Sequence, residues 1–409
     1  MSCILHIDIN SYFATLIQQK YPHLRGKPVG IIKDVGRTCI IAASKEAKAL
    51  GVHTASNTKE AKRLIPSLIL MPAEFDFYLD ATKKLKDIFI SISPEVEIFS
   101  LDEAFINISN CLTHLYQNPH QLALQIQQLI KDRLGDWVTC NVGIASNHFL
   151  AKLASEVSPK GSITTVTANN IDEFLGTTDF SSVCGIGYRL ENRLRSLGVT
   201  NLYSINFLSD EDLTTHFGPF WSGQLRQMSR GKDPHIFSLI DKNPHMKSIG
   251  RSITGWKLSD SEPQIKRILY NLTAEVIYKT RRQQLAGRQV SIYLQGDNQS
   301  WGNHLTLNHY INHTGEMFDL LYYQLYRHWH RSFQVIRFAV RLSLLKPLAQ
   351  LPISFLPSYQ KQESVHRALD QIWHRYGLFS VTSALLKDGK PIIRPEVTGF
   401  LGDKKFQFM

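Results

Sequence analysis

The 409-residue sequence has no Cys-x-x-Cys pair, no basic leader followed by an apolar core, and no uninterrupted apolar run near ~18 residues. Its five cysteines (Cys3, Cys39, Cys111, Cys140 and Cys184) are odd in number and scattered. They suggest neither a disulfide framework nor a structural zinc site. The missing leader and missing spans point to a soluble, intracellular chain with no membrane partner. There is no internal repeat and no low-complexity tract, so solenoids and disordered tails are not expected. Acidic residues are the minority charge: 35 Asp and Glu stand against 46 Lys and Arg, for a net +11. A basic balance of this kind favours anionic partners. With 43% hydrophobic residues the chain is ordinary globular protein, and its length allows two to four domains.

Periodicity divides the chain. Residues 3–9 are a short apolar run ending at Asp8 and 11–20 can continue as a helix, so Asp8 falls where a strand hands over to a helix. Phe75, Tyr78, Ala81, Leu85, Ile88, Phe89 and Ile92 recur at helical spacing, as do Leu122, Ile126, Leu129 and Ile130 over 121–134. Between them, 96–100 and 104–108 read as strands joined tightly at Leu101-Asp102-Glu103, and 138–145 as a further strand. Residues 185–230 read as short helices broken at Gly185, Gly187, Gly198 and Gly218. From Lys247 the order is strand, helix (262–284), strand (289–295), helix (316–332), strand (335–343), which suits an α+β domain. Residues 245–345 carry 13 Lys and Arg against 6 Asp and Glu. A Pro-containing stretch at 347–361 then precedes a short helix near 364–376, and 364–409 has no assignable role.

Three carboxylates carry the chemistry. The adjacent pair Asp102 and Glu103 and the strand-end Asp8 are the ligand types that hold hard divalent cations through oxygen, and adjacent acids repel unless a cation lies between them. Two such ions can activate a hydroxyl, stabilise a transferring phosphoryl group and neutralise a departing pyrophosphate. Spacing alone leaves the alternative open: Asp102-Glu103 as a solvated turn, and Asp8 or Asn10 as a helix cap. His304, His309 and His313 match no compact zinc pattern and are read as surface or core.

The surrounding residues carry a resemblance. Asp8-Ile-Asn-Ser-Tyr-Phe-Ala14, Leu24-Arg-Gly-Lys-Pro-Val29, Ala42-Ala-Ser-Lys-Glu-Ala-Lys48 with Gly51-Val52, and Ser93-Pro-Glu-Val-Glu-Ile-Phe-Ser-Leu-Asp-Glu-Ala-Phe105 look like the motifs of Y-family DNA polymerases. Gly143-Ile-Ala-Ser-Asn147, Leu150-Ala-Lys-Leu-Ala-Ser155 and Ser158-Pro-Lys-Gly161 follow in the same order. The resemblance implies a multidomain α/β and α+β right-hand polymerase: palm (1–18 and 75–168), fingers (19–74), helical thumb (169–234), linker (235–246), little finger (247–345) and a C-terminal extension (346–409). It implies two Mg²⁺ ions, with Mn²⁺ able to substitute, held by Asp8, Asp102 and Glu103 and the Ile9 carbonyl. Phe13 falls at the family's steric gate beneath the incoming sugar, beside Tyr12, and Lys160 resembles its triphosphate lysine. Lys45 and Lys48 depart from the usual Tyr and Arg of the fingers. Both keep donors, but an ammonium cannot copy a bidentate fork and Lys45 lacks the aromatic face.

Residues 183–199 resemble a helix-hairpin-helix in which the turn at Gly185 and Gly187 offers backbone N–H groups to a DNA phosphate. The basic region from Lys247 resembles the little finger, with Arg251, Lys257, Arg281, Arg282 and Arg288 as the expected backbone contacts. Gln350-Leu-Pro-Ile-Ser-Phe-Leu356 is similar to the peptide with which bacterial polymerases hold the sliding clamp, through Gln350, Ile353, Phe355 and Leu356. The implied activity is template-directed extension of a primer from deoxynucleoside triphosphates, of low fidelity and tolerant of template damage. A monomer in the cytoplasm, associated with the nucleoid, is expected. The rival reading, motivated by Lys45 and Lys48, is a catalytically weak polymerase-fold scaffold that recruits partners to stalled forks.

Overall fold

The computed structural model describes residues 2–33, 39–111, 118–234, 246–254, 261–352 and 357–386. Lys257 and the apolar end of the clamp-like peptide, Ile353, Phe355 and Leu356, lie outside the described residues. The chain forms two compact units, one within residues 1–244 and one within 245–402.

In the first unit, β1 (Ile4–Ile9) leads into α1 (Tyr12–Lys20), followed by β2 (Val29–Ile32), β3 (Ile40–Ala43), α2 (Lys45–Ala49), α3 (Thr58–Leu64) and β4 (Ile69–Pro72). Then come α4 (Phe75–Ile92), β5 (Val96–Ile98), β6 (Glu103–Asn107), α5 (Pro119–Leu134), β7 (Cys140–Ala145), α6 (His148–Val157) and β8 (Ile163–Thr165). A five-stranded sheet has the order β5-β6-β1-β7-β8, and a smaller sheet β3-β2-β4 stands apart with its own apolar core. Both β1 and β7 are apolar along most of their length because helices cover them: α6 packs on β1 and β7, and α5 packs on β7, β8 and α4. The expected face of α4 is the buried one, whereas Leu129 of α5 faces outward. One glycine sets a distance here. A Cβ on Gly143 would meet the Ala151 carbonyl oxygen at 1.9 Å, so only glycine lets α6 lie this close to β7.

Among the described residues three α-helices complete the unit, α7 (Ile171–Thr177), α8 (Tyr188–Ser196) and α9 (Asp210–Ser229), the last kinked at Gly218. Leu175, Phe180, Val183, Ile186, Leu194 and Leu213 share one apolar cluster with Phe149, Leu150 and Leu153 of α6. This helical part therefore has no core separate from the sheet.

The second unit is an antiparallel sheet of order β11-β10-β12-β9, made from β9 (Ser248–Thr254), β10 (Leu285–Gln295), β11 (Ser300–Ile311) and β12 (Arg337–Pro347). The long helix α10 (Glu262–Arg282) and the short α11 (Thr314–Asp319) pack their apolar residues into its core. Two expectations are corrected. The helix read over 316–332 is a single α-helical turn that passes into a π-helix at Leu320–Leu325 and a 3₁₀ turn at Tyr326–His328. Strand β11 was not expected at all: it is an edge strand with an open face, so its side chains are mostly exposed and its alternation is weak. Helix α12 (Pro357–Tyr376) begins earlier than its sequence suggested. It docks through Asp370, which accepts from Arg281 at 2.6 and 2.7 Å, and through Trp373 edge-on to Tyr278 at 5.5 Å. His304 and His309 are exposed on β11, whereas His313 is buried, its Nδ1 3.0 Å from that of His366.

Candidate active site

Strand pairing brings the backbones of Asp8, Asp102 and Glu103 together. Asp8 lies opposite Glu103 in the β1/β6 register, and the Ile9 amide donates to the Asp102 carbonyl at 3.0 Å. Glu103 is thus the first strand residue rather than part of the turn. Ser11 then takes a left-handed backbone (φ 48°), uncommon for a residue with a Cβ, and turns the chain directly from β1 into α1.

Their electrostatics differ sharply. Burial, then the charges of Glu103 and Asp102, push the Asp8 carboxyl up to about 7. Burial raises Asp102 too, against the hydrogen bond from Ser100 Oγ. Burial alone would also raise Glu103, but the close approach of His6 and the Lys152 ammonium hold it down at about 2. His6 is fully buried, its Nε2 3.3 Å from Glu103 and its Nδ1 2.6 Å from Ser155 Oγ, and burial lowers it to about 4. No three His, Cys, Asp or Glu side chains among the described residues are set to hold a metal ion together. The backbone therefore assembles the expected acidic set while its carboxylates face separate partners, Asp102 toward Ser100 and Glu103 toward Lys152 and His6. The donor chemistry nonetheless fits a hard cation, because Asp8 is held beside two further carboxylates that disfavour its ionisation.

Lys48 and Lys160 border this site. Burial lowers the Lys48 ammonium, Lys160 lowers it further, and Asp8 and Asp102 act on it from the other side. The turn carrying Lys160 is fixed by Asn141, which lies opposite Asp8 on β7. The Asn141 amide donates to the carbonyls of Ser155 (2.8 Å) and Ser158 (3.2 Å), and its oxygen accepts from the Gly161 amide at 2.7 Å. Sequence reasoning missed Asn141, and its signal was faint: one polar residue inside an apolar strand.

Two nucleotide-side expectations change. Tyr12 is buried, its hydroxyl 2.7 Å from both the Tyr78 carbonyl and Thr82 Oγ1, so its side chain braces α1 against α4 and its hydroxyl is engaged inside the fold. Lys45 is exposed, its ammonium 4.4 Å from the centre of the Trp137 ring, a contact that supplies an aromatic face from elsewhere in the chain. Phe13 is half-buried and meets Tyr78 edge-on at 4.6 Å, which fixes its ring.

Among the DNA-side residues, Gly185 (φ 101°) and Gly187 are exposed in a turn anchored by the buried Ile186. Arg251 and Arg281, expected on a DNA-facing surface, are buried instead. On β9 the residues Ile249, Arg251 and Ile253 share the helix-covered face, where Arg251 pairs with Glu275 of α10 at 2.6 Å. Arg281 is taken up by Asp370. Arg282 is exposed and Arg288 partly so. Sequence reasoning passed over Arg337 and Arg341, which are exposed on the open face of the sheet beside Ser252, Ser291 and Tyr293 around a concavity of about 590 Å³. Their period-two spacing in a strand with apolar alternate residues was the available signal. Gln350 closes a 3₁₀ turn after β12.

The impB/mucB/samB family model matches residues 7–156, and the model of the same family's C-terminal domain matches residues 246–355. The DNA polymerase IV of Moorella thermoacetica is 30% identical over 385 residues, which cover 91% of this chain and 93% of that protein. The DNA polymerase IV of Gluconobacter oxydans is 31% identical over 292 residues, 71% of this chain and 79% of that protein. A solved Y-family DNA polymerase chimera superimposes with a TM-score of 0.71 at 24% identity, covering 84% of this chain and 99% of that one. No described helix is long and apolar enough to cross a membrane.

Proposed function

The chain belongs to the impB/mucB/samB family of Y-family polymerases and is a DNA-directed DNA polymerase, and from that premise we propose that it extends primers by two-metal phosphoryl transfer in low-fidelity translesion synthesis. The observation that carries this reading is the β1/β6 register, which sets Asp8 beside Glu103 with Asp102 adjacent, next to Lys48 and Lys160. Residues 1–18 and 75–168 are assigned as palm, 19–74 as fingers, 169–234 as thumb, 235–246 as linker, 247–345 as little finger and 346–409 as C-terminal extension.

Asp8, Asp102, Glu103 and the Ile9 carbonyl would hold two Mg²⁺ ions, or Mn²⁺ in their place. When bound, these supply a more acidic primer hydroxyl and stabilise charge on the phosphates. The chain's own residues do the rest. Lys48 and Lys160 offer ammonium charge to the triphosphate of the incoming deoxynucleotide. Phe13, fixed by Tyr78, lies under the sugar and disfavours a 2′-hydroxyl. The turn at Gly185 and Gly187 offers backbone N–H groups to one DNA phosphate. Arg337 and Arg341, with Arg282 and Arg288, give the second unit a sequence-independent hold on the primer-template backbone. The peptide at 350–356 is proposed to engage a sliding clamp.

Primer extension with Mg²⁺ tests the whole. Asp102→Ala should abolish extension and leave DNA binding within about twofold, since no DNA phosphate is assigned to that carboxylate. Normal extension by this variant would refute the metal assignment.

A further inference from the structure

Lys152 lies where helix α6 meets the acidic site. Its ammonium bonds Glu103 Oε2 and stands 4.9 Å from the centre of the Phe99 ring, with the residue only 8% exposed. Its place is fixed from two sides. Gly143 lets α6 lie against β7, and Ser155, three residues further along α6, joins it to β1 through His6. An ammonium and a divalent ion held on one carboxylate repel each other, so Glu103 bonded to the buried Lys152 is the poorer ligand for a hard cation.

We propose that Lys152 is a tethered cation competing with the divalent ion for Glu103, so that loading the acidic site weakens or displaces its bond to that carboxylate. The inference rests on the carboxylates being the metal site, as read above. The displaced ammonium has somewhere to go. A cavity of about 240 Å³ is lined by Lys152, Phe149, Glu156, Val183 and Cys184, and Glu156 is four residues along the same helix, within reach of a helical ion pair. No covalent bond changes: one cation replaces another at Glu103. Lys152 is thus a positioning residue acting through Glu103. It lowers the repulsion among the three acids while the site is unloaded, and it keeps the affinity of the free chain for divalent ions low.

The test is Mn²⁺ binding to the full chain, free of DNA and nucleotide, read from the electron paramagnetic resonance signal of free Mn²⁺. Lys152→Gln should bind about tenfold tighter or more than wild type. Lys152→Met, which keeps the buried stem, should do the same, and Lys152→Arg should stay near wild type. Lys160→Gln removes a charge that also acts on Asp8 and controls for the general field, so it should gain less. In a Glu103→Gln background the Lys152→Gln gain should vanish. Folded Lys152→Gln and Lys152→Met proteins with unchanged or weaker affinity, a gain no larger than that of Lys160→Gln, or a gain that survives Glu103→Gln would each overturn the proposal. Equal Mn²⁺ binding by wild type and Asp8→Ala would instead remove the metal-site reading, and the competition with it.

Discussion

Replacing Asp8 with Asn deletes a carboxyl whose ionisation the fold opposes. Burial and the neighbouring acids raise it from 3.8 to about 7. At about 1.4 kcal/mol per unit this is at most about 4 kcal/mol, and solvent at the partly exposed edge brings it to about 2 kcal/mol. An acid raised on folding contributes stability that is fully present below its unfolded value and is lost as pH rises through the folded one. Through this group the metal-free wild type therefore loses stability between about pH 4 and 7, a loss that Asp8→Asn lacks. His6, lowered from 6.5 to about 4, runs the other way, its contribution present above 6.5 and lost as pH falls through about 4. It is common to both proteins and cancels in their difference. Glu103, lowered from 4.5 to about 2, loses its contribution only in stronger acid. The assay is urea denaturation in chelator, with hydrogen exchange at the β1 and β7 amides to isolate the first unit. Asp8→Asn should be the more stable protein, by a margin that grows from pH 4 to 7 and then levels. Adding Mg²⁺ to wild type at high pH should close the gap. A margin independent of pH, or of the opposite sign, would refute the reasoning.

Phe13→Ala should admit ribonucleotides, read as incorporation from ribonucleoside triphosphates, while Tyr12→Phe should leave sugar selection unchanged and cost about 0.5–1.5 kcal/mol for the lost hydroxyl bond, since the Tyr78 carbonyl still accepts from Thr82 Oγ1. Arg337→Ala with Arg341→Ala should weaken primer-template binding at every sequence and reduce the salt slope by about two, whereas a wild-type slope would take the open sheet face out of the interface. Glu275→Ala leaves the Arg251 guanidinium buried without its carboxylate. It should destabilise the second unit by about 3–5 kcal/mol in a melting experiment.

Much of the first unit was readable because its signals are local. Asp8 ends an apolar run, Glu103 begins one, and α4 shows an unbroken helical period, so the strands and the helix follow from pattern, whereas the reading of the carboxylates as a site came from the family resemblance. What pattern could not supply was partners. Nothing in a linear reading joins Lys152 to Glu103 across 49 residues, or Asn141 to the turn that carries Lys160. Nor does it say which way a side chain turns, and Asp102 turns to Ser100. In the second unit the failure lay in the period itself. Edge strand β11 buries too little to alternate cleanly, and the π-helix at Leu320–Leu325 shifts the apolar stripe away from the α-helical repeat that the sequence was read with.

The basic surplus of the second unit shows why charge counts identify a class of partner but not the contacts. Of the cations expected to meet DNA, Arg251 and Arg281 are used inside the unit, joining β9 to α10 and α10 to α12. Each gives up its charge to a carboxylate because a guanidinium buried among apolar side chains could not remain otherwise. The same division runs through the first unit, where Lys152 is spent on Glu103 and Lys45 rests on Trp137, while Lys160 stays exposed. A cation available to a polyphosphate is therefore one that the fold has left without an internal carboxylate. By that criterion, applied among the described residues, Lys160, Arg337 and Arg341 are the residues on which nucleotide and DNA affinity should turn. Arg251 belongs to stability, so Arg251→Ala should lower the melting temperature of the second unit without changing the salt dependence of DNA binding in the protein that remains folded.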